Sequence, residues 1–275
     1  MNTTIPGASN NTTTPYILMT SSLEICIFSI NVLFGLPTHS YVIWLIIKGT
    51  GKGVASEFFN FNLSVCEIGV CLDFLLFTLA IWFLFLIPLG LFLQGLTITG
   101  RALFQCLICV ERYLAVVHPV TFLKYKPLRY RAICCAAAWI IIFGSSLVCM
   151  FTLMSSNINA HALFFSLQFL LFLSIQLFCL VAVLRALKQS GPGEKGKKRE
   201  EENHIKRRAI YLILITTVNM VITYVPIIIS GVFIILRNNY HLAYWAPGLV
   251  CYVLAGFVQP VLYLHQAGKL SCLSC

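Results

Sequence analysis

Long apolar stretches separated by short polar ones dominate the pattern of this chain. Each stretch is long enough to cross the roughly 30 Å hydrocarbon layer of a bilayer as a helix. Pro88 and Gly90 mark the break between the second and third stretches, which are otherwise almost continuous. The pattern predicts an all-α membrane protein, a bundle of seven transmembrane helices, with spans at about residues 22–48, 56–81, 84–117, 132–154, 161–187, 207–236 and 242–265.

The positions of Lys and Arg decide between seven spans and the alternative of six. Six spans would put both termini on one side of the membrane and scatter the basic loops. With seven, all nineteen Lys and Arg except Arg101 and Arg237 fall in loops of one parity or at the adjoining helix ends. The positive-inside rule then predicts an external N-terminus and an internal C-terminus. Residues 1–21 become an extracellular tail, 188–206 a flexible third cytosolic loop, and 266–275 a short cytosolic tail.

Composition supports a membrane location and limits the partners. Hydrophobic residues make up 59% of the 275 positions and charged residues only 10%, too few to cover a soluble domain of this size. The net charge of +10 could indicate binding to nucleic acid, but the positive-inside rule already accounts for its distribution. We therefore expect a multi-pass protein of the plasma membrane, with membrane lipid and no nucleic acid among its partners.

Both ends of the chain carry candidate modification sites. Asn2, Asn10 and Asn11 begin glycosylation sequons in the tail expected to lie outside. Cys272 and Cys275 follow the last helix on the cytosolic side and are candidates for palmitoylation, with two unmodified thiols as the alternative. The other cysteines form no framework of pairs in outer loops, so no structural disulfide is expected.

Two arginines on the third predicted helix are candidates for function. Glu111-Arg112-Tyr113 ends the helix on its inner side, as either an anchor or a switch. Arg101 precedes Arg112 by eleven residues, which is about 16 Å and about three turns, so both side chains leave the same face at different depths. By the same count, three polar side chains of other helices reach the depth of Arg101: His39, Glu67 and Gln259.

Glu67 and Arg101 are expected to pair inside the membrane. An unpaired charge at mid-bilayer costs at least about 2.5–3.5 kcal/mol, and an ion pair between adjacent helices avoids that cost. The alternative is a protonated Glu67 that bonds to His39 or Ser64, with Arg101 reaching elsewhere.

Five motifs follow one another along the predicted helices. They are Leu63-Ser64-Val65-Cys66-Glu67 in the second, Glu111-Arg112-Tyr113 in the third, Trp139 in the fourth, Thr223-Tyr224-Val225-Pro226 in the sixth and Gln259-Pro260-Val261-Leu262-Tyr263 in the seventh. In this order they resemble the motifs of the class A (rhodopsin-like) G-protein-coupled receptors. Gly35-Leu36-Pro37 and the run from Arg112 to Tyr125 are most similar to the branch that holds nucleotide and protease-activated receptors.

The resemblance implies a receptor that transmits an extracellular or membrane-derived signal to a heterotrimeric G protein on the cytosolic face. It assigns coupling and switching to Glu111, Arg112, Tyr113, Tyr224, Pro226, Pro260 and Tyr263. In that family the position of Glu67 holds an acid that binds a sodium ion, and the position of Arg101 usually holds Ser. The Arg101 guanidinium is therefore expected to occupy the sodium site, with His39 and Gln259 in the same layer.

Several positions depart from the pattern of the family. Ile87 replaces the Cys that usually forms a disulfide at the outer end of the third helix, and Lys206 stands where an acid often pairs with the third-helix Arg. Tyr224 replaces Trp, and Gln259 replaces Asn. With the sodium ion, the latch and the disulfide all missing, we expect either high ligand-independent activity or poor coupling.

The resemblance places a ligand pocket among the outer halves of the third, fifth, sixth and seventh helices. Its expected lining is Leu91, Gln94, Gln168, Ile227, Ile228, Trp245, Leu249 and Tyr252. The third helix offers no acid for an amine, and the outer side has no cluster of Lys or Arg to hold phosphates. An apolar or lipid ligand is therefore favoured over a nucleotide, and the absence of any diffusible ligand is the alternative.

Other classes of membrane protein remain as alternatives. Charges in mid-membrane often mark ion or proton paths, which would suit a transporter or channel, although the sequence has no internal repeat or pair of broken helices. A receptor relative that does not signal would also account for the altered motifs. An enzyme, a metal or a cofactor is not expected, because His39, Glu67 and the cysteines lack the spacing of metal ligands or nucleophiles.

Overall fold

The computed structural model describes residues 22–48, 57–80, 82–125, 128–189, 197–237 and 246–266. Every regular element in these ranges is helical, and seven segments are long and apolar enough to cross a membrane. The helices are α1 Ser22–Ile30, α2 Leu36–Ile47, α3 Phe58–Ala80, α4 Ile87–Val117, α5 Pro119–Tyr125, α6 Leu128–Met154, α7 Ile158–Gln189, α8 Lys197–Arg237, α9 Ala246–Gly256 and α10 Val258–Gln266. The prediction of an all-α bundle of seven membrane helices is confirmed.

The first span is one continuous helix with a widened turn in its middle. A π-helical turn over Asn31–Gly35 joins α1 to α2, and Pro37 lies in the first turn of α2. Because Pro37 has no N–H, the turn before it cannot close with an ordinary α-helical bond. Gly35 permits close packing here, since a Cβ at this position would meet Asn31 Oδ1 at 3.0 Å and Cys71 Sγ at 3.1 Å.

The seventh span is broken near the middle of the membrane. α9 ends at Gly256 and α10 begins at Val258, with Phe257 in a turn between them. Pro260 cannot donate to the carbonyl four residues earlier, so the helical bonding is interrupted at this level. The break divides the predicted 242–265 segment into an outer and an inner half, and residues 238–245 lie outside the described ranges.

Two of the segments that were predicted to be cytosolic contain more helix than expected. The second loop forms the short helix α5, and the predicted linker 188–206 is corrected at both ends, because α7 continues to Gln189 and α8 begins at Lys197. The sequence 197–206 is rich in Lys, Arg and Glu, which are good helix formers even where they are too polar for a membrane. Hydropathy marks the part of α8 that crosses the bilayer, and not the polar turns before it.

The core of the bundle surrounds α4, which packs against α3, α6, α7 and α8. The closest approaches occur at glycines: a Cβ on Gly95 would lie 2.6 Å from Cys149 Cβ, and one on Gly100 would lie 2.7 Å from Cys66 Sγ. Many large apolar side chains are exposed on the outside of the bundle, as expected for a protein that is surrounded by lipid. All ten cysteines in the described part of the chain are free thiols.

Candidate functional site

The middle of the bundle contains a buried ion pair between α3 and α4. Arg101 Nε donates to Glu67 Oε1 at 2.6 Å, and Arg101 Nη2 donates to Glu67 Oε2. The two residues are 1% and 3% exposed. The guanidinium therefore grips both carboxylate oxygens, which is the strongest geometry available to an Arg–carboxylate pair. Both carboxylate oxygens of Glu67 accept hydrogen bonds from Arg101. The structure therefore has the expected ion pair, and not the alternative in which a protonated Glu67 bonds to His39 or Ser64.

Arg101 also reaches the seventh span. Its Nη1 donates to the backbone carbonyl of Tyr252 at 2.7 Å, and the guanidinium lies over the Tyr252 ring, 4.0 Å from the ring centre. Gly256, one turn further along α9, leaves the necessary space, since a Cβ there would lie 3.1 Å from Arg101 Nη2 and 3.2 Å from Glu67 Oε2. One side chain thus connects three spans just above the break in the last of them.

A small polar cavity lies on the inner side of this pair. Its volume is about 10 Å³, room for roughly one water molecule. His39 Nδ1 and Gln259 Nε2 are buried and have no hydrogen-bond partner within the described ranges. The residues that line the cavity are His39, Val42, Asn60, Leu63, Ser64, Glu67, Gln259, Pro260 and Tyr263. The structure therefore brings together His39, Glu67 and Gln259, as the depth count predicted, and adds Tyr263 to them.

The inner end of α4 is arranged differently. Glu111 accepts a hydrogen bond from Arg131 Nη2 at 2.5 Å, which ties α4 to α6. Arg112 Nε is buried and bonds to no atom of the described residues. Tyr113 packs against the cluster of Cys109, Val183 and Ile213, and its hydroxyl lies 3.1 Å from His118 Nε2. The acid of this motif is therefore paired with a neighbouring helix, and Arg112 Nε has no hydrogen-bond partner in the described residues.

α8 meets α4 through two polar contacts at different depths. Tyr224 donates from its hydroxyl to the Ile98 carbonyl at 2.7 Å and stacks beside Phe169 with ring centres 5.3 Å apart. Further in, Thr216 Oγ1 lies 3.0 Å from Cys109 Sγ. Pro226 lies within α8, two residues beyond Tyr224, where it interrupts the helical bonding. Tyr224 therefore lies at the contact between α4 and α8, and Pro226 follows it in the same turn of α8.

The predicted ligand-pocket residues divide into two groups. Ile227, Leu249 and Tyr252 pack with Val70, Phe74 and Val253 in one apolar cluster, whereas Ile228 packs against the cluster around α4. Leu91 is buried, and Gln94 is half-buried. Gln168 connects three helices, because its amide accepts from Thr99 at 3.1 Å and donates to Ser145 at 3.0 Å. That amide is engaged in helix packing in this structure.

Some predicted sites lie outside the described residues: Asn2, Asn10, Asn11, Trp245, Cys272 and Cys275.

Other features were missed by the sequence analysis. The Tyr252 carbonyl gives no signal in the sequence, because any residue carries one. Arg131 was counted only as a basic loop residue, and its pairing with Glu111 depends on how α4 and α6 cross. Asp73 Oδ1 is also buried with no partner in the described part of the chain.

The bundle has seven apolar helices, with an ion pair at its centre that connects three spans and the Glu111-Arg112-Tyr113 motif at the end of the third span. These features define a seven-helix membrane receptor. Residues 39–263 match the family described as 7 transmembrane receptor (rhodopsin family). The chain belongs to this family, as predicted. It is a rhodopsin-like G-protein-coupled receptor, a multi-pass protein of the plasma membrane, and its relatives are signalling receptors and not enzymes.

Several curated relatives are similar to the chain at low identity. Hydroxycarboxylic acid receptor 2 of Rattus norvegicus is 28% identical over 73% of this chain and 59% of its own length. The Homo sapiens protein of the same name is 26% identical, over 74% of this chain and 60% of its own length. The uracil nucleotide/cysteinyl leukotriene receptor of Rattus norvegicus is 23% identical over 98% of this chain and 88% of its own length. The chain thus spans about three fifths of the hydroxycarboxylic acid receptors it matches.

Proposed function

We propose that this receptor activates a heterotrimeric G protein through Arg112 at the inner end of α4. The observation that carries the proposal is the arrangement of the Glu111-Arg112-Tyr113 motif. Glu111 accepts a hydrogen bond from Arg131 through Oε1 and none from Arg112 Nε. Arg112 Nε is buried with no partner in the ranges described here, and a buried donor without an acceptor favours any state that supplies one. A docking G protein is expected to supply that acceptor from the cytosolic side, with the N-terminus of the receptor outside.

The switch is proposed to run through α8 and the seventh span. Pro226 permits a bend in α8, and the Tyr224 hydroxyl bond to the Ile98 carbonyl holds its outer half against α4. Pro260 and Tyr263 lie just inside the break at Phe257, beside the polar cavity. A signal at the outer face then shifts the population between two packings of these helices.

An apolar or lipid ligand is proposed over a nucleotide or a carboxylate. The uracil nucleotide and hydroxycarboxylic acid receptors are named for anionic ligands, which require cationic or strong donor groups. In the outer half of this bundle Ile227, Leu249 and Tyr252 pack in an apolar cluster. Arg101 contacts that cluster at the Tyr252 ring, and each of its three nitrogens already donates to Glu67 or to a backbone carbonyl.

Arg101 is proposed to take the place of the sodium ion that the family binds beside the acid of the second span. The positive charge, the contact with both oxygens of Glu67 and the bond to Tyr252 leave that carboxylate without room for a cation. Basal signalling is therefore expected to be insensitive to sodium. Because a guanidinium is covalently attached, it also cannot be released on activation as a bound ion can.

The test is guanine-nucleotide exchange by purified G proteins on receptor in nanodiscs. We expect exchange above that of empty nanodiscs without added ligand, and equal rates in NaCl and in the same concentration of choline chloride. Arg101→Ser should create a dependence on sodium. Exchange equal to that of empty nanodiscs across a panel of G proteins would contradict coupling, and would favour a receptor relative that does not signal. A sodium response of the unaltered chain would contradict the role of Arg101.

A further inference from the structure

Two glutamines, Gln105 on α4 and Gln176 on α7, lie inside the bundle without hydrogen-bond partners. They are 1% and 0% exposed, so neither side chain reaches the lipid or the cytosol. In both cases the amide nitrogen and the amide oxygen bond to no group in the described ranges. Four polar atoms are therefore unpaired in a region where a membrane offers no water to replace a missing bond. Neither the proposed G-protein contact nor the ion pair uses these amides.

The two amides belong to one layer. Along α4, Gln105 lies between Ala102 and Cys109, and along α7, Gln176 lies between Phe172 and Val183. Ala102 and Phe172 belong to the larger apolar cluster, which also contains Cys106 and Ile108, whereas Cys109 and Val183 belong to a smaller one. α4 and α7 contain the third and fifth spans, so they cross the membrane in the same direction. Gln105 and Gln176 therefore lie at a similar level of two neighbouring helices, where the larger and the smaller apolar cluster adjoin.

α8 packs at the same level, and its polar side chains there already have hydrogen-bond partners. Met220 belongs to the larger apolar cluster and Ile213 to the smaller one. Between them, Thr216 donates to carbonyls of its own helix and contacts Cys109, and Thr217 donates to the Ile213 carbonyl at 2.7 Å. Both hydroxyls are satisfied, so they do not compensate for the glutamines.

We infer that the Gln105 and Gln176 carboxamides bond to each other in a second packing of α4, α7 and α8, and that this bond biases the bundle away from the packing described here. The reason is that the present packing bears the cost of two unpaired amides, and a small shift of the helices that joins them removes both costs at once. The layer is a conformational device built into the fold. Its role in signalling rests on the proposed function, in which the second packing is the one that engages a G protein.

The test measures the two packings directly, without a G protein. Labels are introduced at two exposed positions, Leu123 in α5, which follows α4, and Arg207 in the first half of α8. Non-natural amino acids carry the labels, because the twelve cysteines of the chain would compete for a thiol reagent. Double electron–electron resonance on the full chain in nanodiscs then gives the distribution of label distances. The variants are Gln105→Met, Gln176→Met and the double variant, since Met keeps the length of Gln without its amide. Thr217→Val is the matched control, because it removes a hydroxyl that its own helix already satisfies.

A mutual bond has a specific signature in this set. Removing either amide leaves one unpaired amide in both packings, so each single variant should lose the whole bias and equal the double variant. We expect the second packing to become about tenfold less populated in all three variants, and unchanged in Thr217→Val. Singles that each give part of the effect of the double would overturn the mutual bond, and unchanged distributions would overturn the device. Melting temperatures equal to or above that of the unaltered chain show that the variants fold, with Leu in place of Met where one does not.

Nucleotide exchange on the same samples separates this inference from the proposed function. A shift in label distances with no exchange in any sample would sink the proposed coupling and leave the device standing. Exchange that is present in the unaltered chain and does not fall in the three variants would show that the second packing is not the coupling one.

Discussion

Arg101 and Arg112 are the same amino acid on the same face of one helix, and the structure treats them in opposite ways. Arg101 bonds to both oxygens of Glu67 and to a carbonyl of α9, and is almost fully buried. Arg112 has a buried Nε with no partner in the described residues, although an acid is its neighbour in the sequence. Arg101 joins three spans through its hydrogen bonds, whereas Arg112 Nε forms no hydrogen bond with the described residues.

The difference shows how a bilayer sorts charges by depth. In the middle of the membrane an unpaired cation is costly, and Arg101 has a carboxylate partner and an acceptor for each of its three nitrogens. Near either face of a membrane the cost falls, because long side chains can extend their charge to the water outside it. A charge without a fixed partner is therefore possible at Arg112, and function can use it.

The largest effect on stability is expected from breaking the pair around Arg101. Glu67→Leu or Arg101→Met alone leaves an unpaired charge in the membrane and should cost about 3–5 kcal/mol. For a chain of this size that lowers the melting temperature in detergent by roughly 10 °C, which differential scanning fluorimetry would detect.

The double variant Glu67→Leu/Arg101→Met is the control for that experiment. It removes both charges and should recover most of the loss, because an apolar pair of similar volume is often as stable as a buried ion pair. Single variants that melt at the temperature of the unaltered chain would show that Arg101 is not a structural cross-link.

Much of this arrangement follows from the sequence because the spans are long and nearly continuous helices. The rise per residue puts Glu67, Arg101 and Gln259 at one depth, and the energetic cost of a lone charge then requires a pair. The order of the five motifs along the helices was likewise sufficient to indicate the family, which the match over residues 39–263 confirms.

The remaining features depend on how helices meet, which a single sequence does not specify. The Arg131 contact with Glu111 and the use of Gln168 between Thr99 and Ser145 are set by the crossings of α4, α6 and α7. The third acceptor of Arg101 is a backbone carbonyl beside a broken helix, and backbone atoms have no sequence signature. The polar first turns of α8 were missed because hydropathy detects burial in lipid and not helix formation.

A smaller effect is expected from crowding the same ion pair. Gly256→Ala adds a Cβ at 3.1 Å from Arg101 Nη2 and 3.2 Å from Glu67 Oε2, so both side chains must move by a few tenths of an ångström. We expect a loss of about 1 kcal/mol, typical of mild overpacking. Gly144→Ala is the matched control, since nothing lies within 4 Å of its added Cβ and Ala is favoured over Gly by about 0.5–1 kcal/mol inside a helix. Equal shifts in melting temperature for the two variants would mean that the space at Gly256 is not needed.

The smallest change in stability is expected at Arg112, where activity should nevertheless be lost. Arg112→Ala removes a side chain whose Nε bonds to nothing in the described ranges, so the melting temperature should change by less than the shift seen for Gly256→Ala. Nucleotide exchange should fall to the level of empty nanodiscs, because the proposed contact with the G protein is gone. Glu111→Gln provides the comparison, since it weakens the bond to Arg131 and should lower the melting temperature while exchange continues. If Arg112→Ala destabilised the receptor as much as Arg101→Met, both arginines would be structural, and the contrast between the middle of α4 and its inner end would not hold.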